Sequence, residues 1–165
     1  MSTDNAGGVV LRDGRRVLRF ERVLDVPVEA VWRVLTVPER VSAWLADVEE
    51  LDLVVGGRVA LRCPTTDGAG ARGSVTAHEP TRVLEFDTDL YGRLRWELTG
   101  VAGGARLLFT VDQDVPDDQV TRMLANWHVH LDFLTEALAG ARVDWDDFPL
   151  HRWESYVDSY RAALG

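Results

Sequence analysis

Asp117–Gly140 reads DDQVTRMLANWHVHLDFLTEALAG, and within it Val120, Leu124, Trp127, Leu131, Leu134 and Leu138 recur at helical spacing. They merge into one apolar stripe set against Arg122, Asp132 and Glu136, the pattern of a long amphipathic helix. Pro116 followed by Asp117 and Asp118 suits the partly positive start of a helix, and Gly140 stands just past the last stripe residue as a stop. A stripe of large apolar side chains must be covered, and the strand-like chain upstream is the candidate cover. This pairing predicts an α+β domain in which a sheet packs on one helix.

The 165 residues favour a single domain with one sizeable core. A net charge of -9 repels nucleic acid and anionic membrane surfaces, so neither is expected as a partner. No apolar run approaches the roughly 20 residues that span a bilayer, and the segment MSTDNAGG lacks the basic and apolar parts of a signal peptide. Cys63 is the only cysteine and cannot form an intrachain disulfide. A cytoplasmic protein without membrane insertion is the expectation, with a homodimer left open.

Along the chain, residues 1–8 read as a disordered tail. Val9–Leu11, an Asp13-Gly14 turn and Val17–Val26 predict a hairpin. Pro27 opens a short helix with Val28, Val31, Trp32 and Leu35 on one side, and Pro38 restarts a second that ends at Trp44-Leu45. From Val48 to Val111 the period becomes two, predicting strands at Val48–Val54, Arg58–Cys63, Ser74–Ala77, Val83–Thr88, Leu94–Leu98 and Leu107–Val111. Leu94, Trp96 and Leu98 share one face and Arg93, Arg95 and Glu97 the other, so one face meets the helix. Asp67–Gly73 reads as a flexible hairpin loop, since it opens no helix as a phosphate cradle would. Residues 141–165 form a helical appendix with Trp153, Tyr156, Val157, Tyr160 and Leu164 at helical spacing, expected to pack on the domain spanning 9–140.

The succession Val26-Pro27-Val28-Glu29-Ala30-Val31-Trp32, Leu35-Thr36-Val37-Pro38-Glu39, Ala43-Trp44-Leu45, Gly56-Gly57-Arg58, Gly73 with Glu79-Pro80, Arg95-Trp96-Glu97-Leu98 and Asn126-Trp127 resembles the SRPBCC superfamily, in its heat-shock-protein-90 ATPase activator-like branch. The resemblance covers residues 17–140. It implies a helix-grip fold, as in START and pollen-allergen-like domains: a curved antiparallel sheet of about seven strands wrapping the long helix, with a cavity between them. The chain departs from the family in carrying Asn126 where a glycine often precedes the helix tryptophan, and in its C-terminal appendix.

The resemblance places Trp127 and Trp44 near that cavity, where an amphipathic ring can pack on a ligand. The inward parity of the strands adds Leu61, Phe86 and Trp96 to the lining, and Leu131 lies on the helix stripe. Met123 and His130 flank the stripe. Trp32 reads as packing. His128-Val129-His130-Leu131-Asp132 spells a metal-like HxHxD, yet helix residues two apart diverge by about 200°, so no metal site is expected and His128 is placed with Asp132 and Glu136 on the polar flank. There is no nucleophile motif, no paired acid and base, and no cofactor motif; Glu85, Asp87 and Glu97 fall on the outward parity, and Asp144, Asp146 and Asp147 read as a solvated turn. The expected function is binding or sequestration of a hydrophobic small molecule, leaning away from an enzyme. The alternatives are a polyketide cyclase-like enzyme, for which His130 and His78 would have to act, and a co-chaperone-like interaction module.

Overall fold

Both residues of the Asp13-Gly14 turn adopt left-handed backbone, with φ 52° and 77°. That geometry matches the twist of a two-residue hairpin, and the turn joins strand β1 (Gly8–Arg12) to β2 (Arg15–Leu24). The structure is a computed structural model and describes residues 5–64 and 68–165. Met1–Asp4 of the expected tail, and Asp67 of the expected loop, lie outside the described residues. The tail's last part is not loose: Gly8 opens β1, and the Gly7 amide donates to the Tyr160 hydroxyl at 2.6 Å. Only glycine fits at position 7, because a Cβ there would run into the Phe20 ring.

After β2 come α1 (Val28–Thr36) and α2 (Pro38–Val41), then β3 (Asp47–Leu51), β4 (Arg58–Arg62), β5 (Gly70–Glu79), β6 (Val83–Thr88), β7 (Gly92–Val101) and β8 (Gly104–Asp112). A short 3-10 turn, Asp117–Gln119, leads into α3 (Val120–Leu138), and a second, Trp145–Asp147, into α4 (Leu150–Leu164). The sheet has eight antiparallel strands in the order β1-β2-β8-β7-β6-β5-β4-β3, in line with the expected sheet of about seven, and β1 pairs with β2 along its whole length as the expected hairpin. Strand β5 begins at Gly70, so most of the glycine-rich stretch lies in the ladder rather than in a loop. Strand β3 stops at Leu51, where Asp52 and Val54 begin the turns leading to Gly57. This is a helix-grip α+β fold. No helix is long and apolar enough to cross a membrane among the described residues.

Register fixes the concave face. Phe20 of β2 opposes Phe109 of β8, Phe109 opposes Trp96 of β7, and Trp96 opposes Leu84 of β6, so these four form one row across the sheet. All four are buried, while Arg93 is exposed and Arg95 and Glu97 are only partly covered on the other face. Glu85, on that outer face, holds Arg95 at 3.0 Å. The alternation predicted from sequence is the one that points Trp96 at α3.

Helix α3 differs from the expected amphipathic helix. Val129 is nine residues on from Val120, about 180° around the axis, and yet is 0% exposed. The sheet covers one side; α4 and the connector carrying Trp145 and Phe148 cover the other, with Phe133 against both of those rings at 6.0 and 5.9 Å. Helix α4 is fastened by polar contacts: Tyr156 donates to Asp132 at 2.5 Å, Arg152 to Glu136 at 2.8 Å, and the Tyr160 hydroxyl pairs with His128 Nδ1 at 2.7 Å. Tyr160 is 2% exposed. Truncating it should therefore be costly: Tyr160→Ala is expected to lower unfolding stability by about 3–5 kcal/mol, and Tyr160→Phe by only about 1–2 kcal/mol for its lost hydrogen bonds. Urea denaturation measures both, and an unchanged midpoint for Tyr160→Ala would show that α4 is not part of the cooperative unit.

Candidate functional site

Trp44 follows α2 in a turn in which the Ala43 amide donates to the Arg40 carbonyl and the Trp44 and Leu45 amides to the Val41 carbonyl, and its ring is buried. Its indole donates to the Val34 carbonyl at 2.9 Å. Edge-on at 6.4 Å lies Trp96, which meets Phe86 at 5.4 Å and stacks on Phe109 at 5.1 Å. Phe109 meets Trp127 of α3 at 5.2 Å, and Trp127 in turn meets Tyr91 at 5.2 Å and His130 at 5.7 Å. A continuous chain of rings thus crosses the space between helix and sheet. It reaches partial exposure at Tyr91, whose hydroxyl lies 2.7 Å from Cys63 Sγ. Burial, then the bond to Cys63, pushes the Tyr91 phenol above its ordinary range.

Five of the residues predicted for the site, Trp44, Phe86, Trp96, Trp127 and His130, belong to this chain of rings. Leu61 and Leu131 share the same core cluster, and Met123 packs against it while only partly buried. Sequence reasoning missed Phe109 and Tyr91. The alternation Leu107-Phe109-Val111 carries the signal for Phe109; nothing local distinguishes Tyr91, which sits in the β6–β7 turn. Surface cavities among the described residues include five of about 230 to 490 Å³, and none of these five is lined by any of the eight predicted residues.

The polar atoms in the ring chain are unevenly satisfied. Trp44 and, on the connector, Trp145 donate their indole N–H to backbone carbonyls. Trp96 Nε1 and Trp127 Nε1 are buried and find no acceptor among the described residues. His130 is held by Asn126, whose carbonyl lies 2.8 Å from Nδ1, and burial pushes its pKa down. His78 lies apart, 5.7 Å from Trp32 of α1.

A second polar cluster sits under α4, and it corrects the placement of His128 on a solvated flank. His128 is 2% exposed, stacked on Tyr156 at 3.9 Å and bonded to Tyr160. Its Nε2 is 4.0 Å from Asp132, so the i,i+4 pair is present but loose. Arg22, 4% exposed on the inner face of β2, donates to the Glu21 carbonyl and faces the same group. Among the described residues no group of three or more His, Cys, Asp or Glu is placed to hold a metal ion.

Residues 25–139, from the end of β2 through α3, match the family described as Activator of Hsp90 ATPase homolog 1-like protein. The chain belongs to that family. This family membership, within the SRPBCC superfamily, agrees with the grip of sheet on helix seen here. Among solved structures, the family member is similar to CalU16 from Micromonospora echinospora in its solution structure, at 20% identity with a TM-score of 0.74, over 99% of this chain and 98% of that one. It is also similar to DynU16, a putative protein in the dynemicin biosynthetic locus, at 25% identity and a TM-score of 0.68, over 78% of this chain and half, 50%, of the other. Protein MLL2253 from Mesorhizobium loti shares 22% identity and a TM-score of 0.67, over 78% of this chain and 100% of its own. No curated protein matches the chain.

The α4 cluster generates a pH prediction. Burial, reinforced by Arg22, holds the His128 pKa down at about 4, whereas the unfolded chain titrates near 6.5. Neutral His128 therefore contributes stability that is complete above pH ~6.5 and lost as pH falls toward ~4. Asp132, raised by burial, acts in the opposite sense, and Tyr156 and Tyr160, both raised, stay protonated throughout. Wild type should lose about 2 kcal/mol more than His128→Gln between pH 7.5 and 4.5. Denaturant titrations at the two pH values test this, and parallel losses in both proteins would contradict a neutral buried His128.

Proposed function

We propose that the protein binds or sequesters an apolar, aromatic small molecule between α3 and the concave sheet, with Trp127 and Trp96 in contact with it. The observation that carries this reading is the chain of aromatic rings running from Trp44 to the half-buried Tyr91. Aromatic walls with few polar groups suit flat apolar ligands, which gain both burial and ring contacts there. Tyr91 is the ring in this chain closest to solvent, so its rotation away from Trp127 is the movement that admits a ligand. Likeness to DynU16, a putative protein in a biosynthetic locus, supports a small-molecule reading over a protein-interaction one. Carriage is favoured over cyclase-like chemistry because His130 is the one histidine in the ring chain and His78 stands against Trp32 instead. A proton-transfer site needs an acid and a base within reach of one substrate atom.

Titration of the full chain with polycyclic aromatic probes, followed by tryptophan fluorescence, tests the reading. Saturable binding is expected, weakened about tenfold or more by Trp127→Ala and unchanged by Arg122→Ala. Absence of saturable binding across the panel would overturn it and favour an interaction module.

A further inference from the structure

Strand β1 leaves one edge of the sheet open, and we propose that this edge is a dimer interface, at which a second copy of the chain adds its own β1 antiparallel about a two-fold axis through Val10. The backbone decides which groups are available. In a hairpin closed by a two-residue turn, the residues flanking the turn exchange both backbone hydrogen bonds, and every second pair does the same. Arg12 with Arg15, Val10 with Val17 and Gly8 with Arg19 are therefore the bonded pairs, so the N–H and C=O groups of Val9 and Leu11 point away from the sheet. No other backbone group takes them among the described residues. An antiparallel copy that sets Val9 against its Leu11, and Leu11 against its Val9, engages all of these groups at once. A slip of two residues would instead set Val9 against Asp13 in the turn, or Leu11 against Gly7, whose amide already donates to Tyr160.

The side chains fit the same register. Leu11 is 77% exposed and Leu164 53%, the cost of leaving this edge uncovered. Val9, with Val120 and Leu164, lines a cavity of about 420 Å³ on the inner face, and Leu11 of the second copy stands beside Val9 at its mouth. On the outer face Gly8, Val10, Arg19 and Glu21 border a cavity of about 310 Å³. Arg12 of the second copy falls opposite Gly8, which leaves room for it, with Glu21 as the acid on that face. Arg12 enters no ion pair of its own among the described residues, so the charges are complementary as well. The other open edge, β3, is built differently: it carries Asp47, Glu49 and Glu50 and a bulge after Val48, devices that keep an edge from pairing. Strand β1 pairs with β2 without a bulge, and Arg12 is its one charge. Interfaces below about 1,200 Å² are transient ones, and two five-residue strands belong to that class, so the dimer forms as concentration rises.

Sedimentation velocity of the full chain from micromolar to millimolar concentration should show a reversible monomer–dimer equilibrium. Leu11→Pro removes an N–H that only the second copy uses, so it should raise the dissociation constant about tenfold or more while leaving the urea midpoint unchanged. Arg12→Glu should weaken the dimer, and Arg12→Glu combined with Glu21→Arg should restore it. Val10→Cys places two sulfurs on the axis, in a non-bonded antiparallel pair whose Cα atoms lie about 4.5 Å apart, within disulfide reach. Mild oxidation should therefore convert it to a covalent dimer, and should leave Val23→Cys, 68% exposed on β2, monomeric. This cross-link decides the matter even if Leu11→Pro folds poorly. A wild type that stays monomeric over the whole range would overturn the proposal and leave the edge to a strand from another protein. So would a dimer whose Val10→Cys form cross-links no faster than Val23→Cys.

Discussion

Helix α3 must be covered on two sides, and the rest of the molecule follows from that requirement. Eleven of its nineteen residues are buried, among them Trp127 on the sheet side and Val129 on the far side. A sheet can wrap only one side of a helix, and here its row of Phe20, Phe109, Trp96 and Leu84 does so. The remaining surface, with Val129 and Phe133 at its centre, would leave large apolar groups in water without a further layer. Trp145, Phe148 and α4 supply that layer.

The two sides of α3 handle polar groups differently. Under α4, hydrogen bonds run from side chain to side chain, Tyr156 to Asp132 and Tyr160 with His128, and the Gly7 backbone amide donates to Tyr160. Burying His128 and Asp132 is costly alone, and these bonds offset it while fixing the angle of α4. On the sheet side Trp44, Trp96, Phe109 and Trp127 meet ring to ring, and Trp96 Nε1 and Trp127 Nε1 find no acceptor among the described residues. Under α4, Arg22 Nη2 is buried in the same way, without an acceptor among the described residues.

Much of this was legible because period and parity are local properties. The stripe from Val120 to Leu138 located α3, and alternation across Leu94, Trp96 and Leu98 aimed the sheet correctly. The Asp13-Gly14 pair located the first hairpin. What local pattern could not carry was the second cover. His128 looked solvated because it lies beside Asp132, and only the return of α4 buries it. Ala125, Val129 and Phe133 on the supposed polar face were the available warning. Tyr91 and Arg22 escaped notice for a similar reason: one sits in a turn and the other in a strand rich in arginine, and long-range packing alone draws them inward.

The most direct measurement is a heteronuclear NMR spectrum of the six tryptophan indole N–H groups, recorded with and without a saturating polycyclic aromatic probe. If the space between α3 and the sheet receives an aromatic molecule, the signals of Trp96 and Trp127 should move, while that of Trp145, on the connector and bonded to the Ser42 carbonyl, should hold its position. Unmoved Trp96 and Trp127 signals, with shifts confined to the more exposed Trp32 and Trp153, would contradict the account.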